Sequence, residues 1–362
     1  MIQLKSADFS DNNNILSLIE KTPQQGLVVL NFERSPCFFH GSNVSTQEPF
    51  VTVAQDEGTG EAVAVYSNGK RDVFYNGKVK SLRYCSDLRI AKSHRGKGLV
   101  RKLIEESQRE MKEGEYSQMV ILKENAASLI SVASGRNGLA TFYPMGSLTT
   151  YLISTAYDFS FSSKYVVRTA TEDDIPEMQR LFDREASKKQ FYPAYDFSKI
   201  GSDDYYRGLH ISDYYLAIDG DGIVGILGTW KQSTFKQTRV VEYPFWMRFL
   251  RPYYNLWTRY FGGFPLPLKS DVAEYVSLHS VISKDNQTDI MSCLLTNVRK
   301  AMSKKGEKTL VVGFTDSDPL SESLKGFVYK TMESNHYIGG FDGDVTESLD
   351  SSLPLYVEVC RL

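Results

Sequence analysis

The 362-residue chain lacks most of the marks of a specialised protein class. Its four cysteines, Cys37, Cys85, Cys293 and Cys360, lie far apart, with no CxxC pair and no histidine at ligand spacing. This gives no zinc-finger pattern, no disulfide framework and no metal site to expect. No apolar run reaches the roughly 18 residues of a membrane span, so no transmembrane segment is expected. The opening stretch MIQLKSADFSDNNN has no signal-peptide core. The formal net charge is −2, which argues against a dedicated nucleic-acid partner. Neither a P-loop string nor a complete GxGxxG fingerprint is present. The expectation is a cytoplasmic protein with reduced thiols.

Apolar residues make up 41% of the chain and charged residues 24%, enough to build a buried core. At about 150 residues per domain the length suggests two domains. The first half opens with a strand at Ile2–Leu4 and a short helix carrying Ile15, Leu16, Leu18 and Ile19. A buried strand follows at Leu27–Phe32. Between Phe50 and Tyr75 apolar and polar residues alternate. The stretches EGTGE and SNGK, and then Tyr75-Asn76-Gly77-Lys78, read as hairpin turns in antiparallel sheet. After Lys80 the order becomes strand (Leu82–Ile90), amphipathic helix (Leu99–Met111), strand (Gln118–Leu122), a helix capped by Asn125 and running to about Ser134, and strand (Leu139–Ile153).

The Ser-rich stretch Asp158–Lys164 reads as a linker. A second unit then begins with a strand at Tyr165–Arg168. A helix follows, carrying Ile175, Met178, Leu181 and Phe182, with Pro176 in its first turn. Tyr214–Ile218 and Ile223–Thr229 flank the turn Asp219-Gly220-Asp221-Gly222. Then come strand Glu274–Ile282, helix Asp289–Met302, strand Thr309–Phe314, helix Pro319 to about Met332, and a last strand at Leu355–Val359. Strands centred on Leu88 and Val120 lie about 32 residues apart, as do those centred on Ser280 and Val312, and each pair encloses one helix. The chain reads as a tandem pair of one α/β fold (an α+β mixed sheet), with domains 1–160 and 161–362.

The chemistry concentrates between Ser93 and Lys102. This stretch is glycine-rich, basic and placed at a helix N-terminus. Gly96 and Gly98 let backbone approach a phosphate closely, and free N–H groups and the helix dipole stabilise its charge. Arg95, Lys97, Arg101 and Lys102 add positive charge. The corresponding turn of the second half, Ser283–Asp289, has no glycine and carries Asp285 and Asp289, which repel a diphosphate.

A strand followed by R-x-x-G and a helix resembles the acyl-CoA-binding motif of the GNAT acetyltransferase superfamily. Arg95 and Gly98 match, and Gly96 fits the RGxG form. Val100 departs, standing where the family usually has Gly or Ala. The likeness covers the first half well and the second in outline. It implies two tandem GNAT-like acyl-CoA N-acyltransferase domains, the second with a degenerate motif and catalytically silent. Acetyl-CoA would be the cosubstrate. Leu88, Arg89 and Ile90 would pair with the pantetheine amides, and Arg95, Gly96, Lys97, Gly98, Leu99, Val100 and Arg101 would hold the diphosphate. Asn125 takes the place where the family's next strand ends at a helix.

Amine acylation needs a proton acceptor, an oxyanion donor and a proton for the leaving thiolate. The family's usual acid on the fourth strand falls to Asp87. Its usual Tyr falls near Val132 and is missing there, so Tyr143, in Phe142-Tyr143-Pro144, stands in as the thiolate's proton donor. Cys85 reads as an inert strand thiol. His94 flanks the cradle as a phosphate-side or solvent residue. The carboxylate of Leu362 is another base if the C-terminus threads into the site. The expected activity is transfer of an acetyl group to a primary amine of a small molecule, peptide or protein by direct attack. Two alternatives stay open: a GNAT-fold acyl-CoA sensor without turnover, and an aminoacyl or peptidyl transferase. The oligomeric state is also open, a homodimer included.

One segment stands outside this scheme. Tyr243–Phe264 has ten aromatics in 22 positions, three arginines and no acid. It reads first as a helical hairpin packed across the domain interface. The other readings are a lid over a bulky substrate and a helix touching an anionic membrane.

Overall fold

A computed structural model describes residues 1–125, 140–156, 163–220, 222–261, 263–341 and 343–362. The first half contains β1 (Ile2–Ser6), α1 (Asn12–Lys21), β2 (Val29–Glu33), α2 (Phe38–Ser45), β3 (Val51–Asp56), β4 (Ala62–Tyr75), β5 (Lys78–Ile90), α3 (Leu99–Arg109), β6 (Ser117–Leu122) and β7 (Thr141–Ser154). The second contains β8 (Val166–Thr169), α4 (Ile175–Ala186), β9 (Tyr214–Asp219), β10 (Gly222–Trp230), β11 (Gln237–Glu242), α5 (Phe245–Phe261), β12 (Val276–Ser283), α6 (Thr288–Lys304), β13 (Thr309–Thr315) and β14 (Tyr329–Gly340).

Twelve strands form one sheet in the order β1-β3-β4-β5-β6-β14-β7-β13-β12-β10-β9-β8. The pairing reads the same from either edge. Three antiparallel pairs lead to one parallel pair, β5·β6 or β12·β13, and then to an antiparallel pair. The sixth strands are exchanged: β14 pairs with β6, and β7 pairs with β13. β14 and β7 join the halves at the centre over a register of twelve residue pairs, from Tyr329↔Ile153 to Gly340↔Thr141. The tandem repeat read from the sequence is therefore present as topology.

Local chemistry explains the elements. Asn76 and Gly77 both have positive φ, +49° and +77°, as a two-residue hairpin between β4 and β5 requires. In α3, Leu99, Leu103, Ile104 and Ser107 are buried on one face, packed on Val63, Ala64, Cys85 and Met119. On the opposite side Ile15 and Leu18 of α1 and Phe38 of α2 cover Val51, Val53 and Val65. The largest core belongs to the second half, where α6 buries Met291, Leu294, Leu295 and Val298 against β9, β10 and β12.

The structure corrects four expectations. Ser67-Asn68-Gly69-Lys70 is no turn, since β4 runs straight through it. Gly69 is there for close approach: a Cβ would lie 2.8 Å from the Glu48 carbonyl oxygen and collide with Thr46. Pro319 begins only a short 3-10 turn ending at Leu324, and Tyr329–Gly340 is strand, because the exchanged β14 takes its partners from β6 and β7. Leu355–Val359 is no strand of the sheet: Tyr356, Val357 and Glu358 are buried, and Val359 already begins a 3-10 turn. The aromatic segment is a single helix with an exposed face, not a packed hairpin. The helix expected after Asn125, most of the linker and Asp221 lie outside the described residues.

Candidate active site

β5 forms the floor of the candidate site. It pairs with β6 only from Arg83↔Ser117 to Cys85↔Met119. β6 then turns away with β14, and among the described residues no strand covers the β6-side edge of Ser86–Ile90. On the other edge the β4·β5 register shifts between Val65↔Arg89 and Ser67↔Ser86. Asp87 sits in that bulge with φ +52°. A bulge with a left-handed residue re-aims the strand, which is why the split opens here. Leu88 and Ile90 pack on the α3-side cluster, while an Arg89 guanidinium N–H donates to the Leu88 carbonyl at 3.2 Å.

The chain then enters the cradle. Gly96 and Gly98 have φ +75° and +74°, and open space lies where a Cβ would stand at each. The first hydrogen bond into α3 runs from the Lys102 N–H to the Gly98 carbonyl at 3.2 Å. Among the described residues, the N–H groups of Gly96 to Arg101 carry no hydrogen bond. These are donors left open at a helix start, with the positive dipole end behind them. Val100 is half-buried and packs its side chain on the α3-side cluster, so it does not fill the cradle. Arg95 reaches back toward the Ile90 carbonyl at 3.4 Å, and Arg101 pairs with Glu105 at 2.6 Å. His94 stands 3.8 Å from Asp56, and Lys97 is exposed. Asn125 lies just past β6, its N–H on the Leu122 carbonyl at 2.9 Å. These residues fit a diphosphate and its pantetheine arm.

Behind the fork, Cys85, Tyr66, Ile104, Ser107 and Met111 line a cavity of only about 10 Å³. Burial pushes the Cys85 thiol up to about 11, in keeping with an inert thiol.

Asp87 is not alone. Arg34, from the loop after β2, pairs with its carboxylate at 3.2 Å, and both side chains are 6% exposed. Ser35 and Gln237 exchange two hydrogen bonds, 3.0 and 2.7 Å, which ties this loop to the start of β11. The neighbouring Lys236 donates to the Cys360 carbonyl at 2.8 Å and to a terminal oxygen of Leu362 at 2.6 Å. Desolvation, then the positive charge of Arg34, pushes Lys236 down to about 7. The structure thus holds Arg34 on Asp87 and Lys236 on the Leu362 oxygen, with Lys236 within electrostatic reach of both Arg34 and Asp87. Sequence reasoning missed Arg34 and Lys236, which stand in loops about 50 and 150 residues from Asp87 with no motif around them.

Tyr143 is placed elsewhere. It pairs with Ile338 on β14, in a row that runs through Gln118 to Tyr84. Three strand spacings, about 14 Å, separate it from β5. It packs with Tyr75, Leu82, Phe191 and Val345 at the hairpin end of β5. The structure does not bring Tyr143 and Asp87 together.

The second half repeats the split and closes it. Ser280 has φ +50° in a bulge of β12, and β12 pairs with β13 only at Val276↔Leu310 and Ser277↔Val311. The C-terminal segment runs across the gap. Thr315 Oγ1 donates to the Leu355 carbonyl at 2.6 Å, Glu358 accepts from the Ser280 N–H at 3.3 Å, and a Cβ on Gly313 would strike Val359.

No family model matches the sequence, and no curated protein matches it. Solved structures do share its shape. A GCN5-related glucosamine N-acetyltransferase region of a fungal multi-domain GH3 β-N-acetylglucosaminidase superposes with a TM-score of 0.63 at 12% identity, over 94% of this chain. This chain spans 38% of that fungal one. N-myristoyltransferase from Saccharomyces cerevisiae, with bound myristoyl-CoA and inhibitors, gives 0.61 at 12% identity over 98% of this chain and 86% of that one. A GCN5-related N-acetyltransferase from Anabaena variabilis gives 0.54 at 11% identity over 93% and 72%. The fold is that of the GNAT acyltransferases.

Proposed function

We propose that this GNAT-fold chain is an N-acyltransferase moving an acetyl group from acetyl-CoA to a primary amine by direct attack. The observation that carries the reading is the pairing of a split sheet at β5/β6 with open N–H donors from Gly96 to Arg101. Acetyl-CoA supplies the thioester. In this reading the Gly96–Arg101 backbone and Arg95 hold the diphosphate, and Leu88, Arg89 and Ile90 pair with the pantetheine amides. Asn125, at the turn after β6, belongs to the same cosubstrate side. The small cavity behind Cys85 supports a short acyl group over a long one.

Asp87 is the proposed proton acceptor, using the carboxylate lone pairs that Arg34 leaves free. A second reading rests on one observation. Lys236, buried and pushed down to about 7 by desolvation and then by Arg34, has the basicity suited to a proton acceptor at neutral pH. Tyr143 is assigned to packing. The second half is proposed to be silent, its split being taken by the C-terminal segment. The acceptor is a small-molecule or peptide amine.

Calorimetric titration with acetyl-CoA, beside the double variant Arg95→Ala, Gly98→Asp, tests this. One site per chain, lost in the folded variant, supports the reading, and acetylation of an amine panel completes it. Binding without turnover on any amine assigns the chain to a sensor role instead. No binding by folded protein overturns the reading.

A further inference from the structure

A surface helix of a water-exposed protein turns its apolar face inward. Helix α5 does the reverse. At about 100° per residue, Phe245, Trp246, Phe249, Leu250, Tyr253, Leu256, Trp257, Tyr260 and Phe261 fall within one arc of about 160°. All nine are exposed, from 49% at Trp257 to 75% at Phe245. The polar side faces the loop that follows the helix. Arg251 and Asn255 donate to the Leu266 carbonyl at 3.1 and 2.8 Å, the Leu266 N–H returns a bond to Asn255 at 2.8 Å, and Thr258 is buried. Tyr243 adds a bond to the Pro267 carbonyl at 3.0 Å. The helix is therefore pinned by its polar face with its aromatic face held outward.

The charges complete the pattern. Arg248 and Arg259 stand about 40–60° beyond the Phe245 edge of the apolar arc. The exposed Lys269 follows in the adjoining loop. Tyr243–Phe264 holds no acid, and the nearest, Glu242, is paired with Arg248 at 2.6 Å. Aromatic side chains rimmed by arginine match the boundary of an anionic lipid bilayer, where rings settle at headgroup depth beside phosphates. A second copy of the chain matches less well, because face-to-face α5 helices would bring cation onto cation. No helix among the described residues is long and apolar enough to cross a membrane.

We propose that α5 is an in-plane docking helix for an anionic phospholipid surface. This does not rest on the acyltransferase reading. It places the candidate site near the bilayer: the ribbon β2·β11 carries Val29↔Glu242 at the helix end and Glu33↔Gln237 at the Arg34 end, about 14–17 Å apart.

Vesicle sedimentation of the full chain tests the proposal, with vesicles of phosphatidylcholine alone and of equal phosphatidylcholine and phosphatidylglycerol. Tryptophan emission gives a direct readout on unaltered protein, because Trp230 is buried and only Trp246 and Trp257 report the helix face. The expected result is partition to the mixed vesicles only, with a blue shift and quenching by brominated lipid. Arg259→Ala weakens it about fivefold. Phe249→Ser with Leu256→Ser and Tyr260→Ser abolishes it while circular dichroism is kept. No partition to mixed vesicles overturns the proposal, and so does equal partition to both kinds. A concentration-dependent dimer without vesicle binding, dispersed by the serine variant, overturns it in favour of a second copy.

Discussion

The Ser280 N–H donates to Glu358 Oε2 at 3.3 Å, and the Tyr356 hydroxyl donates to Oε1 at 3.0 Å. This buried carboxyl closes the second half's split. Burial is the main reason it is pushed up to about 7 from an ordinary value of 4.5. A folded-state value above the unfolded one means that the folded chain holds the proton longer. The protonated form's full stability is present below about 4.5 and is lost as pH rises through about 7. Glu358→Gln should remove that slope, gaining on the order of 3 kcal/mol relative to the parent between pH 5 and pH 8. Urea unfolding of both proteins at the two pH values checks it, and parallel curves would exclude the effect.

Arg34 and Asp87 form a buried pair, so removing one partner leaves the other uncompensated. Arg34→Ala should destabilise by about 3–5 kcal/mol. The double change Arg34→Leu, Asp87→Leu should cost clearly less than the single one, because neither charge is then stranded. A double-mutant cycle by denaturation measures the coupling, and additive single effects would refute the pair.

The proton acceptor is separable by pH. If Lys236 accepts the proton, it must be neutral to act, so kcat/KM rises as pH increases through about 7. Lys236→Met then removes that limb and keeps acetyl-CoA affinity. If Asp87 accepts it, Asp87→Asn lowers kcat by 10²-fold or more, within the range typical of a lost general base, and Lys236→Met retains the limb. Tyr143→Phe should leave kcat within about twofold in either case, as expected of a packing residue away from the chemistry. Steady-state rates between pH 5.5 and 9 decide the assignment.

Gly69 shows where the sequence was misleading. In the alternating stretch before Tyr75, SNGK looks the same as a hairpin turn, and only the tertiary neighbours Thr46 and Glu48 explain the glycine. Gly69→Ala should therefore destabilise by about 1–3 kcal/mol through overpacking, measured by thermal or urea unfolding. An unchanged midpoint would show that the neighbours give way.

Local signals were legible around the two parallel pairs, and misleading at Ser67–Lys70 and from Pro319 to Met332. The parallel pairs β5·β6 and β12·β13, their helices and the Gly96–Gly98 cradle all have short-range patterns. The exchange of β7 and β14 had none, because their partners lie in the other half, and the first residues of β14 read as the end of a helix. Arg34 and Lys236 were hidden for the same reason: nothing next to them in sequence marks the Asp87 bulge that they meet in space. The packing of Val100, which stands where the motif it resembles has a small residue, was invisible until α3 was seated on the sheet.

That seating leads to a last prediction about acyl length. Ile104 and Met111 of the α3 region line the cavity behind Cys85, whose roughly 10 Å³ is close to the about 10–15 Å³ that a single water needs. A long acyl chain pointing from the fork into this cavity would meet filled space, whereas an acetyl group ends at its mouth. Acetyl-CoA should thus exceed octanoyl-CoA in kcat/KM, and Ile104→Ala should narrow the gap by opening space. The lost methyl groups cost stability too, about 2–5 kcal/mol for an isoleucine this buried. The comparison is therefore made as a ratio of two acyl donors on one folded preparation. A ratio unmoved by Ile104→Ala would mean that the acyl group lies elsewhere, along the open edge of Ser86–Ile90 and not behind it.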